Sequence, residues 1–348
     1  MKTNPKKNQR NARQRSNAFP RENEKQRCDI RSFDYSRSIG SQSVCLALAA
    51  ALGAMDAVAN PQGMTVQSGT ASAVANGQHL TVTASHNAFL NWQSFNIGAG
   101  ETTTFVQPSS RSLVWNRIND QNPSEIYGNL NANGIVVLIN QSGFYFGPDS
   151  FVSAAGLIVS TAPVVPSEGG GGLFWQFAGP APTASIINYG QLNVGPGGSA
   201  FLIAEQIQNH GKISAPGGNI GLLAGQEVLL SERPDGRGLS AAVTLQSGSV
   251  NNSGQLIADA GSIALNARVV NQDGLVQANS VRERNGVIEF YAADSITLGA
   301  TSEIVAQGDD TGVSNGGAII IKSEGAYADA AGSKISVAGG AEGGDGGF

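Results

Sequence analysis

The sequence predicts an all-β chain wound into a right-handed parallel β-helix, with an N-terminal β cap and hairpins that leave the solenoid. Three observations carry that expectation. A short unit, apolar-x-Asn-x-Gly-x-apolar, returns as IINYGQLNV, IQNHGKISA, VNNSGQLIA and, with variation, VVNQDGLVQA. Between the copies lie alternating runs such as NIGLLAGQEVLL, GSIALNA and NGVIEFYAADSITL, of strand length and bounded by Gly or Asn. After residue 60 no stretch has the spacing of an amphipathic helix. With 46 glycines in 348 residues and 41% hydrophobic residues, the composition is that of a turn-rich folded chain and not of a disordered one.

Residues 1–59 read as an extended signal peptide. Eleven of the 21 basic residues lie before position 38, and an apolar run, SVCLALAAALGAM, covers Ser43 to Met55. That run is too short to span a bilayer as a helix. Ala57 and Ala59 supply the small residues a signal peptidase accepts, which puts cleavage before Asn60. Such a leader addresses the chain to the Sec export machinery. Cys28 and Cys45 both fall in the removed part, so the mature chain has no disulfide framework. From Asn60 onward, 10 Lys and Arg face 21 Asp and Glu, an acidic balance that argues against nucleic acid as a partner.

Residues 60–185 are expected to form the cap and the first coils, from runs such as QHLTVTA, ETTTFVQP, SLVWNRI, GIVVLIN and AAGLIVST. A β-helix has raw ends, so its first strands must cap it. The segment GLFWQF, inside a Gly-rich interruption, reads as a protruding hairpin or loop. Its aromatic residues Phe174, Trp175 and Phe177 are assigned to packing against the solenoid wall.

Residues 186–300 are expected to form the regular coils. The unit's glycines fall at 190, 211, 254 and 274, at intervals of 21, 43 and 20. The long interval reads as two units with one degenerate copy, interrupted by a loop excursion at SERPDGRGLSAA. A period near 20 is too short for a propeller blade and lacks leucine-rich spacing. Asn188, Asn209, Asn252 and Asn271 are expected to stack as a ladder at one corner, with Asn and Gly taking bends that need positive φ. Residues 301–348 read as further coils ending at a Gly-rich junction, GGAEGGDGGF, and the chain reads as truncated there.

The stretches NWQSFNIGAGETTTFVQPSSRSLVWNRI and NPSEIYGNLNANGIVVLINQSGFYFG resemble the secretion domain of filamentous haemagglutinin-type exoproteins of two-partner secretion systems. The resemblance is close from about Asn60 to Thr161. It implies export through an outer-membrane β-barrel transporter whose periplasmic domains recognise the unfolded chain, delivery to the cell surface or medium, and adhesion through surface glycans or proteins. A cytolysin or contact-dependent toxin carried by the same module is the alternative. The secretion-motif positions it implies are Asn116, Asn122, Pro123, Asn133, Gly134, Asn140, Gly143, Phe144 and Gly147. Where the family carries Asn-Pro-Asn-Gly-Ile, this chain has Asn140-Gln141-Ser142-Gly143-Phe144. The family's Asn-Pro-Asn-Leu is echoed only by Val106-Gln107-Pro108-Ser109. Gly143 can still supply positive φ, and Asn140 can still bond its own backbone two residues on; the four residues are read as reversing the chain.

Parallel β-helices also carry polysaccharide lyases and hydrolases, which need clustered carboxylates. Asp259, Asp294 and the pair Asp309-Asp310 are the candidates, and their Gly- and Asn-rich surroundings read as surface turns. His79, His86 and His210 are scattered. No nucleophile elbow, Walker loop or zinc-binding motif occurs. No enzyme activity, cofactor or metal is expected.

Overall fold

The computed structural model describes residues 59–165, 174–178, 184–232, 239–282, 284–309 and 312–348. The expected leader up to Val58, the Gly169–Gly172 run, the Pro-Asp-Gly turn at 234–236 and Asp310 lie outside the described residues.

Among the described residues the regular structure is all strand. Each coil visits three faces in turn. On one face Ala88–Trp92, Leu113–Ile118, Ile135–Asn140, Gly156–Ser160, Ser199–Ile203 and Asn219–Leu223 stack in parallel. On the next, Ser124–Ile126, Phe144–Phe146, Ser185–Asn188, Gln206–Asn209 and Ser249–Asn252 do the same. The third runs from His79–Ala84 through Thr102–Val106, Asn129–Ala132, Phe151–Ala154 and Gln191–Val194 to Lys334–Ser336. Later coils cross the corner between the first two faces without a break, as Ser262–Gln272 and Val287–Leu298. The molecule is a parallel β-helix.

Strict register makes the interior a set of side-chain rows. Val114, Val136, Leu157, Ala200, Ile220 and Ile263 occupy one row, coil upon coil, all essentially without exposure. Each buried Val, Leu or Ile side chain in it contributes about 1.5–3 kcal/mol. At the N-terminal end Thr65–Ser68 and Ala71–Asn76 pair antiparallel with Ala88–Trp92 and His79–Ala84. They cover the edges of the first coil, as a cap must.

A separate antiparallel sheet lies on the outside. Val164–Val165, Phe174–Ala178, Gly225–Glu232 and Leu239–Gln246 form it. Phe177, Val228 and Leu230 pack it onto Val137, Ile139, Ile158, Phe201 and Leu223 of the solenoid wall. Trp175 meets Trp115 edge to face at 5.7 Å. Within the GLFWQF segment the described part, Phe174–Ala178, is therefore a strand of this excursion, and Trp175 and Phe177 serve packing, as expected; Gly172, Leu173 and the side chain of Phe174 lie outside the described residues. The wall beneath is buried on both sides: Val136 and Leu138 face the interior, while Val137 and Ile139 face the outer sheet.

Four details differ from the sequence expectation. The interval of 43 holds no degenerate coil, because Gln206–Asn209 pairs directly with Ser249–Asn252; the extra residues leave the solenoid as the hairpin Gly225–Glu232 and Leu239–Gln246. The ladder's fourth member is Gln272 and not Asn271. Asn188, Asn209, Asn252 and Gln272 are buried and joined amide to amide at 2.8, 2.7 and 2.8 Å, while Asn271 bonds Asn251 on the outside at 2.7 Å. The repeat glycines serve close approach, not positive φ: a Cβ on Gly211 would lie 2.1 Å from the Gly190 carbonyl oxygen, and one on Gly254 2.1 Å from that of Gly211. Finally, Asn140 to Gly143 turn a corner and do not reverse the chain, since the strands before and after them pair with neighbouring coils and not with each other.

Candidate functional site

The secretion-motif positions map to strands and bends of consecutive coils. Asn116 sits in mid-strand, fully buried, where its Oδ1 accepts from Trp92 Nε1 at 2.9 Å and its Nδ2 donates to the Val137 carbonyl at 3.2 Å. It thus ties three successive strands of one face. A buried amide side chain of this kind is stable only with its donors and acceptors engaged.

At the first bend, Asn133 Oδ1 accepts from the Gln107 backbone N–H at 2.7 Å and Asn133 Nδ2 donates to the Gln107 carbonyl at 2.6 Å. One exposed side chain so satisfies both backbone groups of a residue one coil earlier. Gln107 itself turns inward and donates to the carbonyls of Ser112 and Ile135. Gly134 follows because a Cβ there would come within 2.6 Å of both the Gln107 side chain and the Ser112 carbonyl oxygen.

At the second bend, Asn140 is fully buried. Its Oδ1 accepts from Ser142 N at 2.9 Å, two residues on, and its Nδ2 donates to the Asn122 carbonyl and to Ser124 Oγ at 3.1 and 3.0 Å. Gly143 has φ +112° and would place a Cβ 2.7 Å from the Ser185 carbonyl oxygen. Phe144 points into the core and stacks on Phe146. Gly147 leaves room for the Tyr127 ring, which a Cβ would approach to 2.4 Å. Asn122 and Pro123 are exposed, and the Asn122 side chain bonds only Asp120 of its own turn, at 3.1 Å. Of the cleavage-site residues, Ala57 lies outside the described residues. Ala59 is half-buried, and Asn60 is buried and bonded to Gln78 and Thr103.

Sequence reading missed an aromatic strip beside this second bend. Tyr127, Tyr145, Tyr189 and His210, on four consecutive coils, form a row with ring centroids 5.7, 5.9 and 4.6 Å apart, the tyrosines tilted against one another and His210 stacked on Tyr189. Burial, the nearby Glu125 charge and Tyr145 together raise the Tyr127 pKa above its ordinary value. His210 shares a 2.7 Å hydrogen bond with Ser253 Oγ. An open groove of about 710 Å³ continues from it, lined by Gln191, Lys212, Gln255, Asp273 and Glu303 among others. The signal for the strip was present as an aromatic or His after the ladder amide in NYG and NHG, read only as turn chemistry.

The carboxylates considered for catalysis do not converge. Asp259 accepts from Gln277 and from the Asn279 backbone. Asp294 pairs with Arg268 at 2.9 Å on the exposed surface. Asp309 donates its backbone N–H to Ser314 Oγ. Among the described residues no group of three or more His, Cys, Asp and Glu could hold a metal ion.

Comparison with known proteins bears on the same region. A family model described as the TPS secretion domain matches residues 55–290. A heme/hemopexin-binding protein of Haemophilus influenzae is 27% identical over 259 residues, 70% of this chain and 28% of the relative. A second heme/hemopexin-binding protein of Haemophilus influenzae is 36% identical over 77 residues, 22% of this chain and 8% of the relative. The chain therefore spans well under a third of either relative. Among solved structures, the HMW1 secretion domain of Haemophilus influenzae superposes with a TM-score of 0.60 at 26% identity, covering 78% of this chain and 76% of that one. The filamentous hemagglutinin secretion domain gives 0.44 at 16% identity, covering 80% and 100%.

Proposed function

The chain belongs to the TPS secretion domain family, a family of secreted exoproteins exported by two-partner systems, and on that premise we propose how this molecule uses its fold. Residues 1–59 are removed after Sec export. Residues 60–185 then engage the periplasmic domains of the outer-membrane transporter while unfolded, and on the far side they nucleate the coils of residues 186–300 and 301–348. The module does no chemistry of its own.

One observation carries this reading. The motif side chains of Asn116, Asn140 and Phe144 are buried and Asn133 is bonded across coils, so folding consumes what a transporter could read. Recognition therefore belongs to the unfolded chain, where an extended strand can add to a sheet edge through its main chain. Folding outside the cell then withdraws those groups and opposes backward movement, each coil templating the next.

The experiment is co-expression with the cognate transporter. Gly143→Val puts a β-branched residue at φ +112°, and Asn140→Ile removes three hydrogen bonds. Both variants are expected to fail to reach the medium and to be degraded in the periplasm. Variants that reach the medium at wild-type levels yet no longer bind cells would make the stretch a ligand site and overturn the proposal.

For the exported protein the output proposed is adhesion to surface glycans or proteins, supported by the exposed Tyr127–Tyr145–Tyr189–His210 strip and its polar groove. Aromatic faces flanked by amides and charges suit sugars better than they suit an apolar peptide. A second reading, heme-type ligation, is supported by the names of the two Haemophilus relatives and by the adjacent Tyr189 and His210, since both residue types ligate heme iron. Titration with hemin decides between them: a Soret shift abolished by His210→Ala favours the second reading, and glycan or erythrocyte binding abolished by Tyr189→Ala with no hemin effect favours the first.

A further inference from the structure

The Glu101 carboxylate is 4% exposed and held on both oxygens. Oε2 accepts from Gly98 N at 2.7 Å, and Oε1 accepts from Ala59 N at 2.7 Å. Among the described residues no Lys, Arg or His side chain is paired with it. Carboxylate charge buried this deeply is costly unless a cation or several donors compensate it. Its second donor, moreover, belongs to the residue on the leader side of the expected cut.

Asn60, the next residue, is built into the core of the cap. It is 5% exposed, with Nδ2 donating to the Gln78 carbonyl and Oδ1 accepting from the hydroxyl of the fully buried Thr103, both at 3.1 Å. Pro61 beyond it is buried too. A peptidase cannot reach the Ala59–Asn60 bond with Asn60 in that seat, so cleavage precedes folding of the cap. Hydrolysis adds OH to the Ala59 carbonyl and H to the Asn60 nitrogen, which takes up a further proton near neutral pH, as an α-amino group of pKa about 8 does. Cleavage thus removes the amide on Oε1 and creates an ammonium with three N–H donors one residue along. Successive Cα atoms are about 3.8 Å apart, and the anchored Asn60 side chain keeps the new terminus beside Glu101.

We infer that Glu101 is a buried receptor for the α-ammonium group of the mature chain, so that processing strengthens the closed cap. This rests on processing at Ala59, a premise that N-terminal sequencing of the secreted protein tests separately. The precursor, with Ala59 in place, satisfies Oε1 with a neutral amide alone; the mature chain supplies the charge that the carboxylate lacks.

The test uses protein secreted through its transporter and confirmed by mass spectrometry to begin at Asn60. In the native protein the α-amino group should react with an acylating reagent at least ten-fold more slowly than in the unfolded chain at the same pH. The sign of the pH effect follows from pairing. A folded-state pKa raised above about 8 gives stability that is complete below that value and is lost as pH rises through the folded pKa. Glu101→Gln, and a form retaining Ala59, should each lose that component, and combining them should add nothing further. Equal reactivity of the α-amino group in native and unfolded protein would overturn the inference, even if Glu101→Gln fails to fold. So would an unchanged alkaline profile in a folded Glu101→Gln protein.

Discussion

Asn188 donates from its side-chain amide to Asn209 Oδ1 at 2.8 Å, both side chains being fully buried one coil apart in the β-helix interior. The same donation runs from Asn209 to Asn252 and from Asn252 to Gln272. Gln272 ends the series by donating to the Gly274 carbonyl. Each link uses the acceptor of the next, so the row is satisfied only as a whole and specifies register where an apolar row would tolerate a slip.

Replacing Asn209 by Leu should therefore cost about 2–4 kcal/mol, because it strands the Asn252 Oδ1 acceptor and takes the acceptor from Asn188. Asn271→Ala, on the outer surface, should stay within about 0.5 kcal/mol. Urea denaturation of the purified mature protein measures both. Equal effects at the two positions would mean that the ladder contributes nothing.

Gly211→Ala tests the stacked glycines. Its Cβ would meet the Gly190 carbonyl oxygen at 2.1 Å, a backbone atom that cannot move without parting two coils, and a loss of about 3 kcal/mol or more is expected. Gly77→Ala is the control. Gly77 has φ +57° but open space around it, so the left-handed backbone alone should cost about 1–2 kcal/mol. The difference between the two thermal midpoints separates coil contact from conformational strain.

Much of this fold could be read from the sequence, and the misreadings have physical causes. The two-sided burial of Ile135–Asn140 was visible because an unbroken β-branched run suits a strand covered on both faces. The ladder was visible too, but its last member was misassigned by matching Asn to Asn. In every copy the inward amide precedes its glycine by two positions, which selects Gln272 before Gly274. The 43-residue interval misled because a hairpin leaving the solenoid between Leu223 and Ser249 preserves the register on either side. Glu101 with Ala59, and Gln107 with Asn133, could not be found from spacing, since the irregular corners of the first coils set separations that no repeat marks.

The outer sheet should be a stabiliser and not a ligand patch. Phe177 has no exposure and lies between the sheet and the solenoid wall, so Phe177→Ala is expected to cost about 3–5 kcal/mol. Binding to cells, normalised to folded protein, should be unchanged. Lost binding with unaltered stability would return the cluster to the role of a sticky surface.

Tyr127 should ionise late. Its pKa is raised above the ordinary 10.0, first by partial burial, then by the Glu125 charge and Tyr145. A raised folded-state value means that its small contribution to stability is present below the ordinary tyrosine range and is lost as pH climbs through the folded pKa. In an ultraviolet titration of the native protein, Tyr127→Phe should remove absorbance from the alkaline end of the tyrosinate rise. Removal of the earliest-ionising component would contradict the half-covered ring.

Asn133 and Asn122 separate folding from recognition. Both are exposed secretion-motif positions, but they are bonded differently. Asn133 occupies both backbone groups of Gln107, and its replacement by Ala leaves those groups to find water at a tight bend, with an expected cost of about 1–3 kcal/mol. Asn122 bonds only Asp120 through its side chain, and its own carbonyl, which holds Asn140, survives substitution; Asn122→Ala should change stability by less than about 0.5 kcal/mol. If export depends on folding alone, secretion should fall with Asn133→Ala and persist with Asn122→Ala. If the transporter reads the side chains themselves, Asn122→Ala should cut secretion while the purified protein unfolds at the wild-type denaturant concentration. Measuring both quantities on both variants assigns the motif to one step or the other, because no loss of stability can account for an export defect at Asn122.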